Sequence, residues 1–473
     1  MSILSTFAKY AKNSAQRLVQ NFNLHEVSGS LGDLGTLLPI MISLAVNGQI
    51  NLTSTLWFGG IWNIISGLLF QVPMCVQPMK AIAATVLASN MSIEENMAAG
   101  LSVAAFIFFL GATRTIHIVG SYTPEAVVRG IQLGTALSLI KKAYSLVSPL
   151  HWTITSANWA DNYLWVFLAF IFVILCYRTR VPSALILFII GLIFALVRMF
   201  ATEVGEQYPR PVAAGHYPDT VIVPTPSEFR TGFVNAGLGQ VPLTALNSVI
   251  ALSILVDDLF PDHPADTAKI SVSIGIMNLI GCWFGSMPFC HGSGGLAGQY
   301  RFGARSEVSI VLLGACKLLL GILFGSSLVG LLQLFPDSIL AVMLFISAIE
   351  LASAARVLNQ NEPDLVKQKE NYLVMLITMG TIFAFSNDGI GFLCGMGAAI
   401  LLAIQRLGLR QWCVDVWNGF RALPSVWLDP HAHYMKRETS NSSSSTSEGV
   451  RESASVYENA GLPKPATAPN TSH

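Results

Sequence analysis

Lys80 lies in an apolar stretch, Pro73 to Leu87. A lysine buried at bilayer depth costs about 2.5–3.5 kcal/mol on insertion scales, so it needs a cavity or a partner. The stretch has a counterpart elsewhere in the chain. Gly60 to Cys75 aligns without a gap onto Gly275 to Cys290, with identities at Gly60/Gly275, Ile61/Ile276, Asn63/Asn278, Ile65/Ile280, Pro73/Pro288 and Cys75/Cys290. In both copies a glycine-containing hydrophobic helix runs into Pro-x-Cys and then into a second, interrupted segment. That is the pattern of paired broken helices in secondary transporters. The interruptions are Val76-Gln77-Pro78-Met79-Lys80 in one copy and His291-Gly292-Ser293-Gly294-Gly295 in the other.

If both interruptions reach the bilayer midplane, two half-helix N-termini face one cavity. Each presents unpaired backbone N–H groups and a positive dipole end, which together suit an oxyanion. Pro78 fits a first helical position, Met79 follows it, and Lys80 supplies the full charge. Gly292, Gly294 and Gly295 allow close backbone approach, while Ser293, Gln77 and His291 add donors. The competing readings are a snorkelling Lys80, a Lys80 paired with Asp33, and glycines that serve helix packing alone. Asp33 and Thr36 lie in Gly29-Ser30-Leu31-Gly32-Asp33-Leu34-Gly35-Thr36; Asp33 is a candidate for proton coupling, for balancing Lys80, or for an N-cap. Thr244 and Asn247, in the stretch from Gly237 to Asn247, are candidate neutral donors to the cavity. Lys317, Glu350 and Asp388 read as structural charges.

The elements that must position these residues are membrane helices. The 473 residues are 52% hydrophobic and only 11% charged, with a mean hydropathy of +0.57, which excludes an ordinary soluble domain. Zero net charge gives no sign of a nucleic-acid partner. The seven cysteines lack metal or disulfide spacing and read as small apolar residues, and no cofactor or metal site is expected.

The predicted architecture is an all-α polytopic membrane protein of about fourteen segments, near 32–48, 53–71, 78–90, 97–114, 124–147, 162–177, 182–200, 239–256, 270–285, 293–303, 307–326, 336–355, 372–386 and 390–405. Seven plus seven gives two inverted repeats, 26–200 and 237–405, with segments three and ten as half-helices meeting at the midplane. Pro124-Glu125 and Pro336-Asp337 echo each other at the start of segments five and twelve. Residues 1–25 read as a cytosolic segment, with a transit peptide as the alternative; 201–236 as an extracellular linker; 406–473 as a polar, largely disordered cytosolic tail. Arg178, Arg180, Arg301, Arg305, Arg356, Lys367, Lys369, Arg406 and Arg410 fall on the side of both termini, which the positive-inside rule places in the cytosol, whereas the outer loops hold chiefly Lys141, Lys142, Arg210 and Arg230. The plasma membrane is the expected location, with an endomembrane or mitochondrial membrane as alternatives.

Three stretches carry a family resemblance: GSLGDLGTLLPI (Gly29 to Ile40), VPMCVQPMKAIAATVLA (Val72 to Ala88) and MPFCHGSGGLAGQYRFGARS (Met287 to Ser306). In them the chain resembles the molybdate transporters of the sulfate permease superfamily, over nearly all of residues 25–405. The resemblance implies a fourteen-helix, two-repeat fold with a core of segments one to four and eight to eleven moving against a gate of the other six. It also implies molybdate as substrate, where charge and spacing alone indicate only a small anion. It leads us to expect that the STAS domain of sulfate permeases is absent. Many proton-coupled relatives carry a glutamate on helix eight; this chain offers Thr244 and Asn247 there, which leaves the coupling ion open.

The leading expectation is thus a secondary active molybdate importer working by alternating access, cation or proton coupled, with the bilayer, a proton and a second copy of the chain as candidate partners. Sulfate or another small anion is the alternative, and an anion channel or a nucleobase permease ranks lower. A membrane enzyme built on Ser293 and His291 lacks a third orienting group.

Overall fold

The computed structural model describes residue 14 and residues 16–417, apart from 156, 157, 180, 361, 386, 415 and 416. The segment before residue 14, Arg180 and the tail beyond 417 lie outside the described residues.

Each expected apolar segment coincides with a helix. Segment one is broken into Leu24–Ser30 and Leu34–Val46. Segments two to seven are Leu52–Phe70, Lys80–Ala88, Ile93–Ala112, Glu125–Val147, Tyr163–Leu175 and Ser183–Ala201. Segment eight runs from Pro226 to Leu259. Segments nine to fourteen are Thr267–Gly281, Ser293–Arg301, Glu307–Leu323, Asp337–Ser353, Leu365–Phe385 and Asp388–Leu407. Among the described residues seven helices are long and apolar enough to cross a membrane alone, or nine if each of two bent pairs counts as one span. Segments three and ten have nine residues each. At 1.5 Å per residue they reach only about half of a hydrocarbon core.

Local chemistry sets many of the boundaries. The Asn51 side chain accepts from the Ser54 amide to open segment two, and Gln71, in the left-handed region at φ 58°, closes it. Ser92 and Glu95 form a capping box at the start of segment four. Pro124 and Pro336 are the N-caps of segments five and twelve, so the echo between them marks two real helix starts.

Segment eight differs from expectation. It begins at Pro226, inside the range assigned to the linker, because Thr225 and Glu228 form a capping box there. Ser227, Glu228, Arg230 and Thr231 depress the hydropathy of this first turn and hide it from an apolar window. Gly232 packs against the Glu95 backbone of segment four, which gives the polar turn a tertiary partner. The rest of the linker lies along the ends of segments eleven and nine, where Ala214 N donates to Leu323 O (2.9 Å), His216 N to Ile322 O (2.8 Å) and Ile222 N to Trp283 O (2.7 Å).

The two repeats interlock. Segment two packs on eleven and segment four on nine; exchanging two with nine and four with eleven maps one pair onto the other. At the first contact the backbones touch: a Cβ on Gly60 would sit 2.7 Å from Gly314 O, and one on Gly314 would sit 2.6 Å from Gly60 O. Gly60→Leu is therefore expected to lower the thermal unfolding midpoint of the purified protein through overpacking worth about 1–3 kcal/mol. An unchanged midpoint would mean that the two helices separate freely.

Candidate functional site

The two interruptions cross as a short antiparallel ladder that pairs Gln77 with Cys290 and Pro78 with Phe289. Met79 N donates to Pro288 O (2.9 Å). The repeated cysteines tie each copy to the other: Cys75 Sγ donates to Gly292 O (3.2 Å) and Cys290 Sγ to Pro78 O (3.7 Å). Their reading as merely small apolar residues is corrected by these bonds, since each thiol donates to a carbonyl in the other copy's interruption.

The repeated asparagines diverge. Asn278 pairs with the Phe289 peptide as a strand would, giving Nδ2 to its carbonyl and accepting its N–H on Oδ1, both at 2.6 Å. Asn63 instead accepts from Lys317 Nζ (2.9 Å), which also lies 3.5 Å from Val76 O. Lys317 is thus a buried brace of the first interruption.

Between the half-helices the groups are arranged asymmetrically. Lys80 Nζ is buried and has no hydrogen-bond partner among the described residues. It lies 3.9 Å from where a Cβ on Gly294 would sit. The snorkelling reading therefore fails for this geometry. Among the described residues no side chain accepts from the first N–H groups of Ser293–Arg301, so a cation and open helix N–H groups share one place. Ser293 Oγ donates to Asn247 Oδ1 (2.7 Å).

The N-terminus of Lys80–Ala88 is occupied by the protein itself. Gln240 Oε1 accepts from Ala81 N (2.9 Å) and Ile82 N (3.3 Å), and Gln240 Nε2 donates to Thr244 Oγ1 (2.9 Å). The expectation that both half-helix N-termini are open to a ligand is corrected in this respect. Gln240, Thr244 and Asn247 follow one face of segment eight, whose π-helical turns, Phe233–Gly237 and Thr244–Ile250, flank the Pro242 turn and adjust where that face points.

A second cluster lies beside the first. Asp33 sits at the break of segment one as the N-cap residue of Leu34–Val46, buried, with its side chain making no cap hydrogen bond. In the amide orientation that satisfies its neighbours, Gln77 donates to both Asp33 oxygens at 3.2 Å. A Cβ on Gly295 would meet Cys75 Sγ at 2.5 Å and Asp33 at 3.0 Å, so this glycine packs against the carboxylate. Gly292 packs directly on the Gln77 amide, where no side chain fits. Thr36 is buried one turn beyond Asp33, and the Met79 side chain is part of the apolar core.

His291 takes framework partners: one ring nitrogen meets Ser273 Oγ (3.0 Å), the other Cys75 O (2.8 Å), and Phe70 packs edge-on. Gln240 is the site-building group absent from the sequence candidates, whereas Lys317, read from sequence as a structural charge, has that role here. Gln240's signal is its amide in an otherwise apolar turn beside Pro242, and Lys317's is a charge in the middle of segment eleven.

A family model described as "Molybdate transporter of MFS superfamily" matches residues 25–139 and 232–351. Those two stretches contain every residue of both clusters. Molybdate transporter 2 of Arabidopsis thaliana is 36% identical over 422 residues, covering 81% of this chain and 88% of that protein. Molybdate transporter 1 of the same plant is 34% identical over 429 residues (83% and 91%). Molybdate transporter 1 of Chlamydomonas reinhardtii is 31% identical over 507 residues (83% and 94%). The solved structure of SLC26A9 superposes with a TM-score of 0.54 at 14% identity, covering 83% of this chain and 67% of that one. The murine Solute Carrier 26 family member A9 anion transporter, in its inward-facing state, gives 0.56 at 13% identity (82% and 69%). The structural likeness establishes the fold, that of sulfate permease-like membrane transporters. Identity at this level along nearly the whole length of three curated relatives carries the assignment further, and the chain belongs to the molybdate transporter family.

Proposed function

We propose that the chain carries molybdate across its membrane as a secondary active importer, and that the anion binds between Lys80 and the N-terminus of Ser293–Arg301. The observation that carries this reading is the buried Lys80 ammonium, which makes no hydrogen bond among the described residues, set against a half-helix with no side-chain cap among them. A buried ammonium without a hydrogen bond is expensive. A dianion would neutralise it while accepting the N–H groups of Ser293, Gly294 and Gly295. Equilibrium binding of molybdate to the purified protein, titrated calorimetrically, tests the reading; saturable binding is expected, and heat no different from buffer would refute it. Sulfate is the second reading, because the same donors suit any tetrahedral oxyanion.

Asp33 is the proposed coupling group. A dianion entering against an inside-negative potential costs about 2.3 kcal/mol per charge for each 100 mV, so accumulation calls for co-transported cations. The buried charges of the site are Lys80, Lys317 and Asp33, which sum to one positive charge. A bound dianion makes the sum one negative, and a proton on Asp33 brings it to zero. Asp33→Asn is expected to retain molybdate exchange at equal concentrations and to lose accumulation driven by a pH gradient. Undiminished accumulation in that variant would place coupling elsewhere. The plasma membrane as location, and a homodimer as assembly, remain part of the same proposal.

A further inference from the structure

We propose that Gln240 is an internal ligand of the half-helix Lys80–Ala88: its amide oxygen holds the Ala81 and Ile82 N–H groups until a substrate oxygen displaces it, and so sets both affinity and turnover. The inference rests on the oxyanion reading of the site and assigns to it a residue that exchanges with the substrate.

The geometry fixes the amide's orientation. Backbone N–H groups only donate, so the oxygen must face Ala81 and Ile82, at 2.9 and 3.3 Å, which leaves the nitrogen for Thr244 Oγ1 at 2.9 Å. Gln240 and Thr244 are both fully buried. The comparison within the molecule is direct, because among the described residues no side chain caps the other half-helix, and the Lys80 ammonium, which makes no hydrogen bond there, lies beside it. One N-terminus is open to an anion; the other already holds a neutral oxygen.

The exchange follows from bond strengths. Hydrogen bonds to an ionised acceptor are about twice as strong as neutral ones, so an oxyanion outcompetes a carboxamide. Without substrate, Gln240 keeps two buried donors satisfied. A carrier that must return empty through an apolar barrier then does so with the N–H groups of this half-helix satisfied. Thr244 anchors the amide from the next turn of segment eight and brings it back when the anion leaves.

The test compares Gln240→Met and Gln240→Glu with wild type in molybdate binding and in proteoliposome uptake, with sulfate run in parallel. Methionine keeps the length but removes the acceptor. Binding should tighten by about 3–10-fold, since no bond has to be broken first, and maximal uptake should fall, so that KM and kcat drop together. Glutamate places a competing anion on the same donors. Binding should weaken at least about tenfold at neutral pH and recover as the carboxylate protonates, over about pH 7 to 4. The other charges near this position, Lys80, Asp33 and Lys317, are unchanged, so the wild-type pH curve measured alongside isolates the new carboxyl.

A methionine variant with weaker binding, or a glutamate variant with the wild-type pH curve, would overturn the proposal. Should methionine misfold, Thr244→Val releases the same anchor and is read by the same KM and kcat split. Wild-type binding of sulfate but not molybdate would overturn only the identity of the substrate, and the Gln240 contrast would then be read on sulfate. Binding of neither oxyanion would overturn both the site reading and this proposal.

Discussion

Lys80→Ala is expected to abolish molybdate uptake and to leave the empty protein as stable as wild type or more so. Two features set the signs. The ammonium has no hydrogen bond to lose among the described residues, so removing it relieves a desolvation cost in the empty protein, whereas in the loaded protein the dianion is left buried without its counter-ion. Leaving a buried charge unpaired costs about 3–5 kcal/mol, or roughly two to four orders of magnitude in affinity. Lys80→Arg should rescue poorly, because the planar guanidinium is larger than an ammonium that already lies close to Gly294. Lys317→Ala is the control: it breaks a bond to Asn63 and should lower the unfolding midpoint. Binding titrations and thermal unfolding of the three purified variants check this set, and wild-type affinity in Lys80→Ala would remove Lys80 from the site.

Gly294→Val should have an effect of similar size by another route. A Cβ at this position would meet Leu139 Cδ1 at 2.8 Å and stand 3.9 Å from Lys80 Nζ. The leucine contact is the far end of a flexible side chain, so Gly294→Ala is expected to fold and to transport at a reduced rate. The added methyl groups of valine project into the space between the ammonium and the half-helix N-terminus, where substrate oxygens must come within about 3 Å of the donors. Uptake should fall to background with the unfolding midpoint close to that of the alanine variant. Normal uptake by a folded Gly294→Val would mean that this glycine serves packing alone. Gly295→Val addresses a different neighbour, since its Cβ points at Cys75 and Asp33, and its loss should be read as damage to the carboxylate cluster.

The repeat made much of this legible from sequence. The alignment of Gly60–Cys75 with Gly275–Cys290 identified two broken segments, and the structure pairs them in one ladder. Lys80, Ser293 and Gly294 could be named because a charge and a glycine cluster in apolar surroundings are local signals. Asp33 was visible for the same reason, although its contact with Gln77 was not.

What stayed hidden is tertiary. Gln240 caps a half-helix 159 residues away, and Lys317 reaches Asn63 across 254 residues; nothing in either local sequence names such a partner. The start of segment eight was misplaced because its first turn is polar, and only the packing of Gly232 on segment four explains why a helix forms there. In sequence His291 reads as a donor to the site because it adjoins the glycine cluster. Its ring is instead held by Ser273 and the Cys75 carbonyl.

The most direct test of the account is uptake of isotope-labelled molybdate by proteoliposomes containing the purified chain, with unlabelled molybdate and sulfate as competitors and Lys80→Ala as the control. The account predicts saturable uptake that unlabelled molybdate suppresses at lower concentration than sulfate does, and that the Lys80→Ala protein lacks. Uptake that rises linearly without saturating, or that is the same in Lys80→Ala as in wild type, would contradict it.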